Sequence, residues 1–364
     1  MKIAIDIRSA GGNKAGKGQY TFHLTQSILE LDKTNQYILY TKEKVAGFDH
    51  FPNCEVRQIS ANGLLWHPRV AKDVKREGVD IFWAPSSYIT PIFIKKPTRV
   101  IITVHDLVTF LYPNNHNKKA TIVERLCLKR AVKRADQVIT VSENTKQDLI
   151  KFFPNAKDKT SVVYCAASSI YQPVPLEDLK TFIKDTKLPP KFFLAVSTIQ
   201  PRKNYLNLIR SLAQVHKKWP NTHLLIVGKE GWQYKEVYAE IMRYNLSKYV
   251  HVLGYLSEKS IRNLYNLARA LVFPSFYEGF GIPPLEAMQS GCPVIASNAS
   301  SIPEVLGAAA ISLDPTNTAS WAAAMDKILS SETTRQSLSR AGLNQAKKFS
   351  WQKSAEKFIM ITKN

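Results

Sequence analysis

Two glutamates, Glu278 and Glu286, stand eight residues apart in the stretch Phe273–Val294, FPSFYEGFGIPPLEAMQSGCPV. Between them lie Gly279, Phe280, Gly281 and Ile282, then the double proline Pro283–Pro284. The apolar run before Pro274 reads as a short strand, and proline is tolerated in the first turn of a helix. The expected order is strand, glycine turn, helix, with Gly291 closing the helix. That order aims several backbone N–H groups at one spot, with the positive end of a helix dipole behind them. It suits phosphates or the hydroxyls of a sugar. Glu278 falls at the strand mouth and Glu286 in the first helical turn, so both are expected to face the crevice outside the strand's carboxyl end, where open α/β sheets bind ligands. A capping glutamate and a solvated one would account for a bare pair, but not for the glycines and prolines around this one.

Other chemically able residues also fall at predicted strand ends. The strand 99–104 ends in His105-Asp106, which points into the crevice rather than the core. A structural histidine would read the same way; Asp106 could orient the imidazole or a sugar hydroxyl. The strand 192–196 runs into Ser197-Thr-Ile-Gln-Pro-Arg-Lys-Asn204, with Arg202 and Lys203 expected to open a helix. Two cations beyond a strand end can neutralise a departing diphosphate without a metal, although two surface cations would look identical. Gly11, Gly12, Gly16 and Gly18 form a flexible loop before a helix; it lacks the Gly-Lys-Ser/Thr ending of a Walker loop and fails the dinucleotide fingerprint. Gly228 and Gly254 close strands ahead of Lys229-Glu-Gly231 and Tyr255-Leu256, turns that can offer main-chain groups to a nucleobase, although ordinary strand-ending glycines read the same way. No D-x-D completes a metal site at these strands, and Cys54, Cys127, Cys165 and Cys292 show no metal spacing. Metal and cofactor are therefore expected to be absent, and the scattered cysteines suit a reduced, cytoplasmic protein.

Positioning such residues takes alternating strands and helices. Strands are expected at 3–7, 37–40, 56–59, 80–84, 99–104, 137–141 and 161–164, and again at 192–196, 223–227, 250–253, 270–273, 293–296 and 310–313. This is an α/β chain of 364 residues, long enough for two domains. The expected division is 1–170, a proline-marked linker at 171–190, and 191–349, with a last helix 350–364. No unbroken apolar run reaches the length of a membrane span, and the first strand starts too early for a signal peptide.

The formal net charge is +21. Such a balance suits polyanionic partners: nucleic acid, an anionic membrane face or phosphorylated ligands. In the segment Asn117–Ala135, read as a basic amphipathic helix, Ile122, Leu126 and Val132 with the alanines can face a sheet while Lys118, Lys119, Arg125, Lys129, Arg130, Lys133 and Arg134 cover much of the rest; it can rest on an anionic surface, and a crossover helix with a solvated basic face reads the same way. No aromatic-interleaved basic motif or helix-turn-helix pattern supports nucleic-acid binding.

The string Glu278-Gly-Phe-Gly-Ile-Pro-Pro-Leu-Glu286 resembles the E-x7-E signature of retaining nucleotide-sugar glycosyltransferases of family 4. Pro201-Arg-Lys-Asn204 resembles that family's phosphate clamp, and Gly16 and Gly18 match its N-terminal glycine loop. Two departures stand out: Ser197 replaces a usual glycine, and Cys165-Ala-Ala-Ser168 replaces a usual Gly-Val-Asp turn. The resemblance implies a GT-B fold, two doubly wound Rossmann-like domains facing across a cleft, the first on the acceptor side and carrying the last helix. It implies transfer of a hexose, with mannose from GDP-mannose as best guess, to a saccharide or lipid-linked acceptor with retention. It further implies that Glu286 holds the ribose, that Glu278 and His105 meet the donor sugar, and that Gly279, Phe280, Gly281 and Ile282 supply the donor turn. Arg202 and Lys203 would stabilise the diphosphate, and Tyr255-Leu256 would meet the base. A nucleotide-sugar epimerase on the same fold and a basic nucleic-acid-binding protein remain as alternatives.

Overall fold

The computed structural model describes residues 1–12, 16–112 and 118–363. Asn13, Lys14 and Ala15 of the expected glycine loop, Asn117 at the head of the basic segment and Asn364 lie outside that range, as do the side chains of Lys118 and Lys119. The chain divides into two compact units, Met1–Ala166 with the segment from Phe349 onward, and Ala167–Lys348.

The first unit is a parallel sheet of β1 (Lys2–Asp6), β2 (Gln36–Thr41), β3 (Cys54–Gln58), β4 (Ile81–Ala84), β5 (Arg99–Val104), β6 (Gln137–Thr140) and β7 (Thr160–Val162), in the order β3-β2-β1-β4-β5-β6-β7. The central strands read as near-continuous apolar runs because helices cover both faces: Ile3, Ala4 and Ile5 of β1 and Val100, Ile101 and Ile102 of β5 are wholly buried. The last helix, Trp351–Lys363, packs on helix Lys17–Leu31. Phe358 meets the Trp83 ring at 4.3 Å, Ser354 Oγ donates to Tyr164 O at 2.7 Å, and Arg99 Nη1 donates to Thr362 O at 3.0 Å.

The second unit repeats the plan with β8 (Phe192–Val196), β9 (His223–Val227), β10 (Val250–Gly254), β11 (Leu271–Phe273), β12 (Val294–Ser297) and β13 (Ile311–Leu313), ordered β10-β9-β8-β11-β12-β13 and parallel throughout. Its strand order reverses between β8 and β11, the topological switch point at which doubly wound sheets bind ligands. Residues 171–190, expected as a linker, fall inside this unit: they carry helix Leu176–Thr186, and Val174 N donates to Asn266 Oδ1 at 2.8 Å.

Helix Lys118–Arg134 differs from expectation in its facing. Val132 is buried as expected, together with Thr121, Leu128 and Ala131, but Ile122, Val123 and Leu126 are 57%, 55% and 47% exposed. The small and aliphatic residues of its second half fill the space under the helix, so the apolar residues of the first half are turned outward.

Candidate functional site

At the switch point β11 ends in Phe273, and the turn Pro274–Gly281 leads into helix Ile282–Gln289. Gly281 takes a left-handed φ of 104° at the helix N-cap, a conformation that a residue with a Cβ rarely adopts. Prolines in the first turn supply no N–H where none is needed. Glu286 consequently sits in the second helical turn, one turn later than expected. Two serines from the loop after β12 fasten the glycine turn. Glu278 N donates to Ser300 Oγ at 2.9 Å, and Ser301 Oγ donates to Glu278 O at 2.8 Å and Phe280 O at 2.9 Å.

Arg202 and Lys203 do not open a helix. They lie on the short 3-10 turn Pro201–Lys203, and Asn204, with φ 57°, redirects the chain into helix Tyr205–His216. Phe276 N donates to Arg202 O at 2.9 Å and Asn204 Nδ2 to Pro274 O at 3.2 Å, so this turn and the glycine turn are laced together. The result is a three-charge cluster: Lys203 Nζ lies 2.5 Å from Glu278 Oε1 and Arg202 Nη1 lies 3.0 Å from Oε2. Burial pushes the Glu278 carboxyl up, but the charges of Lys203 and then Arg202 outweigh it and hold the group down at about 2. It is ionised at any physiological pH. Removing one member of such a buried set costs about 3–5 kcal/mol, because it strands the remaining charge.

Glu286 is in the opposite electrostatic state. Burial raises its carboxyl to about 7; the Tyr265 hydrogen bond opposes this and Glu258 adds to it. Tyr265 donates its hydroxyl to Oε2 at 3.1 Å. The two glutamates of one motif therefore present a permanent anion and a group that titrates near neutrality.

The neighbouring strand ends are closely fitted. A Cβ on Gly228 would stand 2.0 Å from Ser197 O, so only glycine fits where β9 passes the loop after β8. Ser197, in place of the usual glycine, bonds instead to Tyr205: the two hydroxyls are 2.8 Å apart, and Tyr205 Oη donates to Ser197 O at 3.0 Å. Tyr255 is half exposed, with Lys229 Nζ 5.7 Å from its ring centroid, and Leu256 is partly exposed beside it. A groove of about 350 Å³ opens nearby along helix Tyr205–His216, but neither glutamate lines it. Its Asn207 and Arg210 are engaged with Pro315 O at 2.9 Å and Glu240 at 2.5 Å.

In the first unit His105 is buried at the end of β5. Its Nε2 lies 2.7 Å from Pro85 O, which can only accept, so that nitrogen carries the proton. Burial, then the charge of Lys17, lowers the imidazole to about 4 and keeps it neutral. Asp106 does not orient the ring through a hydrogen bond; its Oδ1 accepts from Val108 N at 3.1 Å and shapes the following turn. Gly16 caps helix Lys17–Leu31, and Gly18 is buried in that helix's first turn. Among the described residues, no group of three or more His, Cys, Asp or Glu side chains could hold a metal ion.

The structure adds Ser300, Ser301 and Tyr265 to the residues named from sequence. The loop 298–304 leads from an expected strand end into a helix, which is a usable sequence signal for the serines. For the tyrosine there was none, since Tyr265 occupies an ordinary inward position of helix Glu258–Leu267.

Two doubly wound units, the second with charged groups gathered at its switch point, define the GT-B class of glycosyltransferases. The likeness to solved structures covers the whole chain. Sucrose-phosphate synthase from Thermosynechococcus elongatus superposes with TM-score 0.78 at 19% identity, over 100% of this chain and 98% of that one. HepE from Anabaena, solved with UDP and glucose, gives 0.78 at 18% identity over 100% and 99%. The family model for glycosyl transferases group 1 matches residues 178–345, and that for Glycosyltransferase Family 4 matches residues 40–168. O-antigen chain mannosyltransferase B of Escherichia coli is 32% identical over 79% of this chain and 75% of its own length. O-antigen chain mannosyltransferase RfbU of Salmonella typhimurium is 34% identical over 62% and 60%. Escherichia coli WbdA, a serotype-specific mannosyltransferase, is 29% identical over 71% of this chain, which spans only 32% of it. The chain belongs to glycosyltransferase family 4.

Proposed function

We propose that this glycosyltransferase moves mannose from GDP-mannose to a saccharide or lipid-linked acceptor in cell-envelope polysaccharide synthesis, with retention and without metal or cofactor. The observation that carries the reading is the Lys203–Glu278–Arg202 cluster at the switch point, with Glu286 eight residues further along. The leaving group of a nucleotide-sugar is a diphosphate, and two preorganised cations at a strand end stabilise the charge it develops. Glu278, held ionised, accepts hydrogen bonds from sugar hydroxyls, and Glu286 takes the ribose. In the transfer, the bond from the anomeric carbon to the phosphate oxygen breaks while the acceptor oxygen bonds to the same face of that carbon. The acceptor proton passes to the departing phosphate oxygen, so no separate base is required. Similarity to the O-antigen mannosyltransferases supports the sugar and the pathway class.

The test is a panel of GDP-, UDP- and ADP-sugars with oligosaccharide and lipid-linked acceptors, and NMR of the product. Transfer of mannose from GDP-mannose with an α-linked product is expected. A β-linked product would exclude retention, and an isomerised nucleotide-sugar formed without acceptor would make the protein an epimerase.

A lipid-linked acceptor places the enzyme at the cytoplasmic face of a membrane, and helix Lys118–Arg134 supports such docking. Its exposed positions, 122, 123, 126, 129, 130 and 133, follow one another at three- and four-residue spacing along one face. Ile122, Val123 and Leu126 occupy one half of that face and Lys129, Arg130 and Lys133 the other. Apolar residues with adjacent cations suit the interface of an anionic bilayer. Arg134 is not part of the face: its guanidinium donates to Ile94 O and Thr98 O, both at 2.7 Å, and pairs with Asp136 at 2.9 Å. No helix among the described residues is long and apolar enough to cross a membrane.

A further inference from the structure

Helix Lys17–Leu31 brings Tyr20 to the carboxyl end of β5, where it is wholly buried among three rings. The nearest is the His105 imidazole, which stands edge-on to the Tyr20 ring at 85° with centroids 4.8 Å apart. Trp351, the first residue of the last helix, meets Tyr20 at 6.0 Å and 67°, and Trp83 of β4 meets it at 6.4 Å and 72°. Trp351 is also held by His23, whose ring lies 5.7 Å away and at 20° to it. His23 stands three residues after Tyr20 on the same helix, so one helix face grips the tryptophan twice.

His105 is tied to the protein at one end of its ring. Nε2 donates to Pro85 O at 2.7 Å, so in the neutral imidazole Nδ1 is an acceptor, and no described residue donates to it. A single hydrogen bond fixes one atom of the ring and leaves the rest free to swing about it. The Tyr20 ring stands in the way of that swing, because an edge-to-face pair has a preferred geometry as well as a contact area. The phenol is not held there by its hydroxyl. Tyr20 Oη lies 3.4 Å from Thr103 Oγ1, too long for a firm O–H···O bond, and Trp83 Nε1 donates to the same Oγ1 at 3.0 Å. Packing holds the ring, and Trp351 supplies one wall of that packing.

We propose that Tyr20, backed by Trp351, is a positioning residue for sugar transfer: its ring holds the His105 imidazole so that Nδ1 accepts from a hydroxyl of the donor sugar. The proposal rests on the expectation that His105 meets that sugar. A lone pair aimed before the ligand arrives reduces the ordering cost of binding, and a contact that must be in line at the transition state tolerates little displacement. The assignment also gives the last helix a task at the site, since Trp351 reaches the imidazole through one intervening ring.

The experiment records long-range proton–nitrogen NMR correlations of the imidazoles in the full chain at about pH 7.5, above the ordinary histidine range. They report which ring nitrogen carries the proton and need no donor; the His105 signal is the one lost in His105→Gln. Wild type is expected to show a single Nε2–H form at His105. Tyr20→Leu removes the ring face and should give a mixture of the two neutral forms. Its turnover at saturating donor should fall by about 10-fold to 100-fold, as for a small misplacement at the reacting centre. GDP affinity should stay as in wild type, because GDP lacks the sugar. Tyr20→Phe keeps the ring and should restore both the single form and the turnover. Trp351→Leu should move the two readouts in the direction of Tyr20→Leu, by less, and stands in for it should that variant fold poorly. A single Nε2–H form in Tyr20→Leu, or in its stand-in, overturns the proposal even where turnover falls, since the tyrosine is then merely structural. A mixture with wild-type turnover overturns it too, and so does a mixture in Tyr20→Phe. His105→Gln separates the two layers. Transfer at the wild-type rate in that variant removes the sugar contact and this proposal with it. A slow His105→Gln beside a Tyr20→Leu that behaves as wild type removes only the positioning role.

Discussion

Lys203 and Glu278, 75 residues apart in the chain, close on one another at 2.5 Å, and Arg202 takes the carboxylate's other oxygen at 3.0 Å. The cations proposed for the diphosphate and the anion proposed for the sugar thus form one neutralising set. A donor must enter by competing with Glu278 for Lys203 and Arg202. Such an arrangement keeps three charges tolerable in a buried site.

Lys203→Ala removes one stabiliser of the leaving group. Turnover at saturating donor should fall by roughly 10²–10³-fold, as when one preorganised electrostatic donor is deleted. Turnover equal to wild type would end this role for Lys203.

The two glutamates should separate in calorimetry. Glu278→Gln removes the competitor for Lys203 and Arg202, so GDP should bind at least as tightly while transfer falls. Glu286→Gln should weaken nucleotide and nucleotide-sugar alike. It should also change the pH dependence of stability. Glu286 has a folded-state value of about 7 against an ordinary 4.5. Between those values the folded state binds more protons than the unfolded one, so its contribution to stability falls as pH rises through that window. Thermal melts of Glu286→Gln should lack this component, and identical pH slopes for variant and wild type would contradict the assignment.

Transfer should survive excess EDTA, because Arg202 and Lys203 supply the positive charge that a divalent ion would otherwise bring. Complete loss of activity restored by Mg²⁺ or Mn²⁺ would refute the metal-free mechanism.

Reversing Lys129, Arg130 and Lys133 to glutamate should abolish sedimentation with anionic vesicles and leave GDP affinity intact. Each cation near such a surface contributes on the order of 1 kcal/mol, screened by salt. Replacing Ile122, Val123 and Leu126 by serine should weaken vesicle binding at high salt, where the apolar contribution remains. Equal binding of wild type to neutral and anionic vesicles at low salt would be the contrary result.

The strands were legible because parallel strands covered on both faces must be apolar runs, as in β1, β5, β8, β9 and β12; β3 (CEVRQ) and β7 (TSV) are not such runs, and the expected 56–59 and 161–164 overlap them only in part. The meeting of Arg202, Lys203 and Glu278 was legible only in outline: strand ends converge at a switch point, but spacing does not say which charge takes which partner. Helix Lys118–Arg134 was misread because apolar residues recur around more than one face. Packing against the sheet kept Val132 buried as expected but took Leu128 in place of Ile122 and Leu126, and no periodicity ranked Leu128 above those two.

The first unit borrows its last helix from beyond the second. On a ribosome, Trp83, Tyr164 and Arg99 emerge long before Phe358, Ser354 and Thr362, their partners in helix Trp351–Lys363. The nascent first sheet must therefore wait, with part of its surface uncovered, until all of Ala167–Lys348 has been translated. Order of synthesis and order of completion are reversed in this chain: the unit begun first is finished last, and chaperones would meet it in that interval.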